Sequence, residues 1–136
     1  MVKEAGFGRK EKLKSRKRVE KLFARGKTVN VFPIRISYQF TDLPEEEKAV
    51  AEVGVSVSKR KFKRAVDRNR IKRLLREAYR LQKKELLELL QVQKKNAYVF
   101  FIYTHKQIPK YSVVFETMKK CMDVLKRKAA INENPS

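Results

Sequence analysis

The chain is poor in most of the groups that carry protein chemistry. Among its 136 residues there is one cysteine, Cys121, and one histidine, His105. A lone thiol cannot close an internal disulfide, and no second cysteine exists for a zinc knuckle. His105 falls in a turn between a strand-like run and a helical one, which suits a surface or turn residue better than a general base. Cys121 occupies an apolar position of a helical pattern and reads as core rather than nucleophile. The four glycines are scattered, so no phosphate-cradling loop is present. Glu45–Glu47 form a loop run, while Asp67 and Glu77 stand isolated among bases, so no carboxylate cluster suggests a two-metal site. The longest apolar run, Ala97–Tyr103, is far short of the ~20 residues of a spanning helix. The N-terminus alternates basic and polar residues without an apolar signal segment. These absences lead to three expectations: a cytoplasmic location, no catalytic residue in the polypeptide, and no metal or cofactor bound by the protein itself.

What is abundant is positive charge. Lys and Arg number 35 against 15 Asp and Glu, a formal net charge of +20. Self-repulsion at that density opposes compaction and implies a neutralising partner. Nucleic acid is the first candidate and an anionic membrane surface the second, the latter weakened by the missing apolar segments. The hydrophobic fraction is 42%, with eight Phe and five Tyr, enough for one modest core.

Periodicity divides the chain. Met1–Lys14 reads as a mobile basic arm, residues 15–130 as one domain and 131–136 as a disordered tail, frayed from Asn132 onward. Ser15 is an acceptable N-cap for a helix in which Val19, Leu22 and Phe23 share a face, and Gly26 ends it. Val31–Thr41 alternates as a half-buried strand, with Ile34, Ile36, Tyr38 and Phe40 on one side and Arg35, Ser37 and Gln39 on the other; Pro33 sits near its start. Asp42–Lys48, with Pro44, reads as a solvated hairpin loop. Val50–Ser58 alternates again, Val53, Val55 and Val57 facing one way and the small Gly54, Ser56 and Ser58 the other. A long helix is expected from Ala65 to Leu90, with Asp67 as a candidate N-cap. Tyr98–Tyr103 reads as a strand buried on both sides. After a turn around Ile108–Pro109, a last helix runs from Val113 or Val114 through Lys126 with Met118, Met122 and Leu125 inward. The order is α-β-β-α-β-α, with room for an extra short strand: a small α+β domain.

The segment Lys59–Arg80 concentrates the charge. Ile71, Leu74, Leu75 and Ala78 fall within one sector of a helix at about 100° per residue, and Asn69, Lys72, Arg73, Arg76 and Arg80 lie opposite. The basic residues have basic i,i+4 neighbours along Arg68–Lys72–Arg76–Arg80, each pair costing a few tenths of a kcal/mol in an isolated helix. A solvated surface gains nothing from that, whereas a polyanion-binding face does, and arginine's planar fork suits phosphate. Asn69 fits either a cap or an amide that bonds a phosphate, a base edge or a metal-bound water. Most aromatic residues sit at core-compatible positions. Phe23 and Phe62 adjoin basic segments and are the candidates for stacking on unpaired bases.

Gly54-Val55-Ser56-Val57-Ser58-Lys59, followed by Ala65-Val66-Asp67-Arg68-Asn69-Arg70-Ile71-Lys72-Arg73 and Arg76-Glu77-Ala78, resembles the signature of the bacterial ribonuclease P protein subunit. Leu22-Phe23-Ala24-Arg25-Gly26-Lys27 resembles that family's first helix and turn, and the likeness runs from about Leu13 to Lys126. The resemblance implies an αββ(β)αβα domain with a left-handed β-α-β crossover, similar to one domain of a ribosomal protein. It implies a protein that binds the catalytic RNA and the 5′ leader of precursor tRNA, while the RNA, holding most of the Mg2+, removes the leader. The protein itself is expected to be a monomer when free. Carried over by residue, the RNA-subunit contacts are Arg68, Asn69, Arg70, Lys72, Arg73, Arg76 and Arg80, with Lys59, Arg60 and Lys61 beside them. The leader cleft takes Phe23, Ser37, Ser56, Ser58 and Phe62. Val19 and Ser37 stand where the family usually has aromatic residues, and Lys63-Arg64 where it has Gly-Asn. Two other readings stay open: a ribosomal or general RNA-binding protein, and a stand-alone nuclease, which would need the acid–base cluster that this chain lacks.

Overall fold

A computed structural model describes residues 16–131; the basic arm over Met1–Lys14, the Ser15 cap and the tail from Asn132 to Ser136 lie outside the described residues. Eight elements follow in the order α1 (Arg16–Arg25), β1 (Lys27–Val31), β2 (Ile34–Asp42), β3 (Ala51–Val57), α2 (Ala65–Gln82), α3 (Lys84–Gln93), β4 (Lys95–Tyr103) and α4 (Tyr111–Ala130). They form a small α+β domain around one four-stranded mixed sheet. The extra short strand is β1, which pairs antiparallel with β2 through a turn at Phe32 and a cis Pro33. The expected strand from Val31 is thus a hairpin arm that begins at Ile34.

The sheet order is β1-β2-β4-β3. β2 and β3 do not pair, because β4 lies between them, antiparallel to β2 and parallel to β3. The hairpin expected over Asp42–Lys48 is therefore corrected to a connection that passes over the end of β4. Alternation identifies a strand but not its neighbour. The connection is fastened where it crosses: Leu43 N–H donates to the Lys94 carbonyl at 3.0 Å, and the backbone N–H groups of Ala49 and Val50 donate to Gln91 Oε1 and Asn96 Oδ1. Parallel pairing of β3 with β4 needs a long crossover, and α2 with α3 supplies it.

One face of the sheet carries the core. Ile34, Ile36, Tyr38, Ala51, Val53, Val57, Ala97, Val99, Phe101 and Tyr103 pack beneath Ile71, Leu75, Ala78 and Tyr79 of α2, Leu86 and Leu90 of α3, and Met118, Cys121, Met122 and Leu125 of α4. β4 is not buried on both sides as its composition suggested. Its odd-numbered residues from Ala97 to Tyr103 are buried, whereas Tyr98, Phe100 and Ile102 on the opposite face stay half-buried. The long helix is also divided, at Lys83. There the Gln82 side-chain amide donates to the Ala78 carbonyl and to the Phe115 carbonyl of α4, at 3.2 and 3.1 Å. A side chain serving the helical ladder is a recognised origin of a bend. The α2 N-cap is Arg64 with no side-chain cap bond, not Asp67, which lies in the first turn where its charge complements the helix dipole.

Gly26 ends α1 by proximity rather than by a left-handed conformation. Its N–H donates to the Leu22 carbonyl at 2.7 Å. A Cβ there would overlap that carbonyl oxygen, with Leu22 Cδ1 at 2.7 Å and the Tyr38 carbonyl oxygen at 3.0 Å. Two of these three atoms are backbone, so relief requires α1 to move off the sheet. Gly26→Ala is expected to lower stability by about 1–3 kcal/mol in urea unfolding, the range of overpacking; an unchanged midpoint would show that α1 is free to shift.

Candidate nucleic-acid interface

α2 presents most of the expected basic comb. With Ile71, Leu75, Ala78 and Tyr79 buried, Asn69, Arg70, Arg73 and Arg76 are exposed. None of these four has a hydrogen-bond or ion-pair partner among the described residues, so their donors remain available. Arg68 and Lys72 lie nearer the buried stripe and are half-buried. Arg68 is turned inward: Nη1 donates to the carbonyls of Phe62 at 2.7 Å and Lys63 at 2.9 Å, clamping the loop that precedes the helix. Arg80 is paired with Glu77 one turn back, and that hydrogen bond holds the Glu77 carboxyl below the usual carboxylate range. Lys59, Arg60 and Lys61 are exposed in the same loop, and Lys61 Nζ donates to the Thr104 carbonyl. Ser58 accepts the N–H groups of Arg60 and Lys61 at 3.2 and 3.4 Å, which turns the basic run across the end of the sheet.

The second constellation lies on the face of the sheet away from the core, where α1 is seated. Register places Thr28, Ser37, Phe100 and Gly54 in one row and Asn30, Arg35, Ile102 and Ser56 in the next. Leu22 of α1 and Ser37 of β2 are both buried on this side of the sheet. Phe23 stands edge-on to Phe100, ring centroids 5.4 Å apart, and yet is 53% exposed. Beside this pair the surface is low, because β3 contributes Gly54 and Ser56. Phe23, Ser37 and Ser56 thus share one face, and Ser58 closes its end. Phe62 does not join them. It is 6% exposed and packs on Tyr103, ring centroids 6.1 Å apart, within the core on the other side of the sheet. Its basic sequence neighbours are in solvent, but the turn begun at Ser58 directs this one ring inward. Phe100 is the ring that pairs with Phe23 instead. In the sequence it is hidden in an apolar run, and only its alternation with Phe101 distinguishes it.

The remaining groups of chemical interest are quiet. Cys121 is buried, and desolvation pushes its thiol up to about 12. Among the described residues no group of three or more His, Cys, Asp or Glu is gathered to hold a metal ion. No described helix is long and apolar enough to cross a membrane. A groove between α2–α3 and α4 is lined by Leu81, Lys84, Lys119 and Met122, and its two acids are paired within it, since Lys126 bridges Glu85 at 2.6 Å and Asp123 at 3.4 Å.

A small α+β domain with one helix carrying unpaired basic donors and an aromatic pair on the opposite sheet face is chemically fitted to meet a polyanion with unpaired bases. Comparison with known proteins gives the family. The family model described as Ribonuclease P matches residues 7–129. The ribonuclease P protein component of Porphyromonas gingivalis is 37% identical over 117 residues, covering 86% of this chain and 84% of the relative. That of Borrelia duttonii is 32% identical over 117 residues, covering 85% and 93%. In fold the chain is similar to the Staphylococcus aureus RNase P protein, with a TM-score of 0.62 at 17% identity over 84% of this chain and 94% of that one. The chain belongs to the ribonuclease P protein family, the protein component of a tRNA-processing endoribonuclease.

Two outcomes follow from the burial pattern. Phe62→Ala is expected to cost about 3–5 kcal/mol of stability, as for a core aromatic, while Phe23→Ala costs far less and leaves the thermal midpoint nearly in place. Equal losses in denaturant unfolding would contradict the opposite placement of the two rings. For Cys121 the folded-state value is raised above the ordinary 9.0, so the folded chain holds its proton where the unfolded chain has lost it. Its contribution is fully present below 9.0 and is lost as pH rises from there toward about 12. The stability difference between wild type and Cys121→Ala should therefore shrink across that window, and a constant difference would refute the assignment.

Proposed function

We propose that this protein binds the catalytic RNA of ribonuclease P through α2 and the single-stranded 5′ leader of precursor tRNA beside α1, assisting removal of the leader. The observation that carries this reading is the row of exposed, unpartnered donors at Asn69, Arg70, Arg73 and Arg76, fixed by a buried stripe on the same helix. Such a row positions an RNA backbone by neutralising phosphates, while sequence is read elsewhere. Arg68 supports this row indirectly, by holding the loop that carries Lys59, Arg60 and Lys61. Lys72 and Arg80 extend it at the margins.

The leader reading rests on the other face. Phe23 and Phe100 offer aromatic surface, and Gly54 and Ser56 leave room for a strand of nucleotides against the sheet. The reading, carried over from the family resemblance, assigns Mg2+ and the hydrolytic step to the RNA. The protein acts in the cytoplasm, is a monomer when free, and requires no cofactor of its own. Lowering repulsion between leader and catalytic RNA is then its contribution, and this matters most when magnesium is scarce.

The test is reconstitution with a bacterial ribonuclease P RNA and precursor tRNA at low magnesium. The wild-type protein should stimulate cleavage. Arg73→Ala with Arg76→Ala should weaken assembly without unfolding the domain. Affinity should fall with salt at a log–log slope of about −0.7 per single-strand phosphate neutralised. Absence of stimulation, or an affinity insensitive to salt, would overturn the reading.

A further inference from the structure

One end of the sheet gathers features that the comb and the α1 face do not use. The β1–β2 turn, the end of β4 and the start of the α2 loop meet there, since Ile34 and Val57 both pair with Tyr103. At the tip of the turn Phe32 is 70% exposed. A large apolar ring so far in water contributes little to folding, yet this one is fixed. It stands edge-on to His105, ring centroids 5.2 Å apart with planes at 62°. Thr104 ties the corner together: its N–H and its hydroxyl both donate to the Pro33 carbonyl, at 2.8 and 3.0 Å, and its own carbonyl accepts Lys61 Nζ. The aromatic tip and the basic loop are therefore joined by hydrogen bonds into one unit.

The electrostatic setting is one-sided. Residues 27–41, 53–66 and 99–115, which supply this end, contain no Asp or Glu. They do contain Lys59, Arg60, Lys61 and Lys106, all exposed. Arg35 is exposed on the first rungs of the hairpin, and its Nε donates to Asn30 Oδ1 at 2.9 Å. The acids of β2 and its connection, Asp42 and Glu45–Glu47, lie at the opposite end of the strands. An exposed ring with basic side chains from the neighbouring loops, the nearest acid along the chain being Asp67 inside α2, favours a ligand that combines a flat base with a phosphate, and disfavours a purely apolar partner, which would have to desolvate those cations.

We infer that Phe32, braced by His105, is a stacking platform for an unpaired RNA base whose flanking phosphates are held by Lys61 and its basic neighbours. This rests on the RNA-binding reading above and extends it beyond the α1 face. Thr104, just beyond the end of β4, lies four residues past Phe100, about 13 Å at roughly 3.3 Å per residue. A strand lying over Phe23 and Phe100 and continuing past Ile102 and Arg35 would reach this corner. The platform adds a contact for a nucleotide beyond those seated beside α1.

The chain contains no tryptophan, so Phe32→Trp places a single indole reporter at the tip. A short single-stranded RNA should quench it saturably, whereas inorganic polyphosphate, which has charge but no base, should bind without quenching. Phe32→Ala should weaken binding of the same RNA about tenfold, within the range for one stacked base, with an unchanged thermal midpoint because little of the ring is buried. An indole indifferent to the RNA, or Phe32→Ala binding like wild type, overturns the platform. If wild type binds the RNA and loses affinity on Phe23→Ala, while both Phe32 variants behave like wild type, only this inference falls. If wild type binds no single-stranded RNA, the broader reading falls with it.

Discussion

The parallel pairing of β3 with β4 decides how the rest of the molecule is arranged. A parallel neighbour cannot be reached by a tight turn, so the chain must leave the end of β3, travel the length of the sheet and return. The return path, α2 and α3, has to lie across one face and bury its apolar stripe there. Once that face is occupied, with α4 beside it, α1 is left to the other. The basic loop Lys59–Arg64 is the point where the chain leaves β3 and turns into α2. Its place at the end of the sheet, next to Thr104, is a direct result of the strand order.

Charge is distributed accordingly. A domain with this excess of Lys and Arg reduces self-repulsion by keeping cations on separate surfaces and by pairing some of them. Glu77 with Arg80, and Glu85 and Asp123 with Lys126, are exposed pairs of small energetic value. They matter more for which cations they leave alone. Arg70, Arg73 and Arg76 have no such partner among the described residues, and residues 27–41, 53–66 and 99–115 contain no Asp or Glu. Folding stability would be better served by mixing the signs, so the segregation is consistent with a surface shaped by a polyanionic partner.

Local physics was legible in the sequence and strand neighbours were not. The stripe Ile71, Leu75, Ala78 continues at helical spacing through Tyr79 to Leu86 and Leu90, so the segment reads as one helix; the break at Lys83 falls where Gln82 reaches Phe115 on α4, a contact between distant residues. Gly26, Met118, Met122 and Leu125 behave as their spacing indicated. The false hairpin between β2 and β3 arose because two alternating runs separated by a polar loop look alike whether they pair or are parted by a third strand. Within the candidate site, the exposed row on α2 could be read from periodicity alone. Phe62 could not, because the direction of a loop side chain depends on the Ser58 turn, and Phe100 was hidden in an apolar run until register with Ser37 and Gly54 exposed its face.

The two arginines with internal partners illustrate why a basic comb is not a set of equivalent teeth. Arg68 donates to two loop carbonyls, those of Phe62 and Lys63, so removing it releases the loop as well as a charge. Arg73 and Arg76 hold nothing in place within the domain, so their loss removes charge and leaves geometry intact. Loss of RNA affinity at Arg68 would therefore combine a positional effect with an electrostatic one, and salt separates them. The electrostatic part weakens as counterions screen it, whereas a misplaced Lys59–Lys61 loop remains misplaced at any ionic strength.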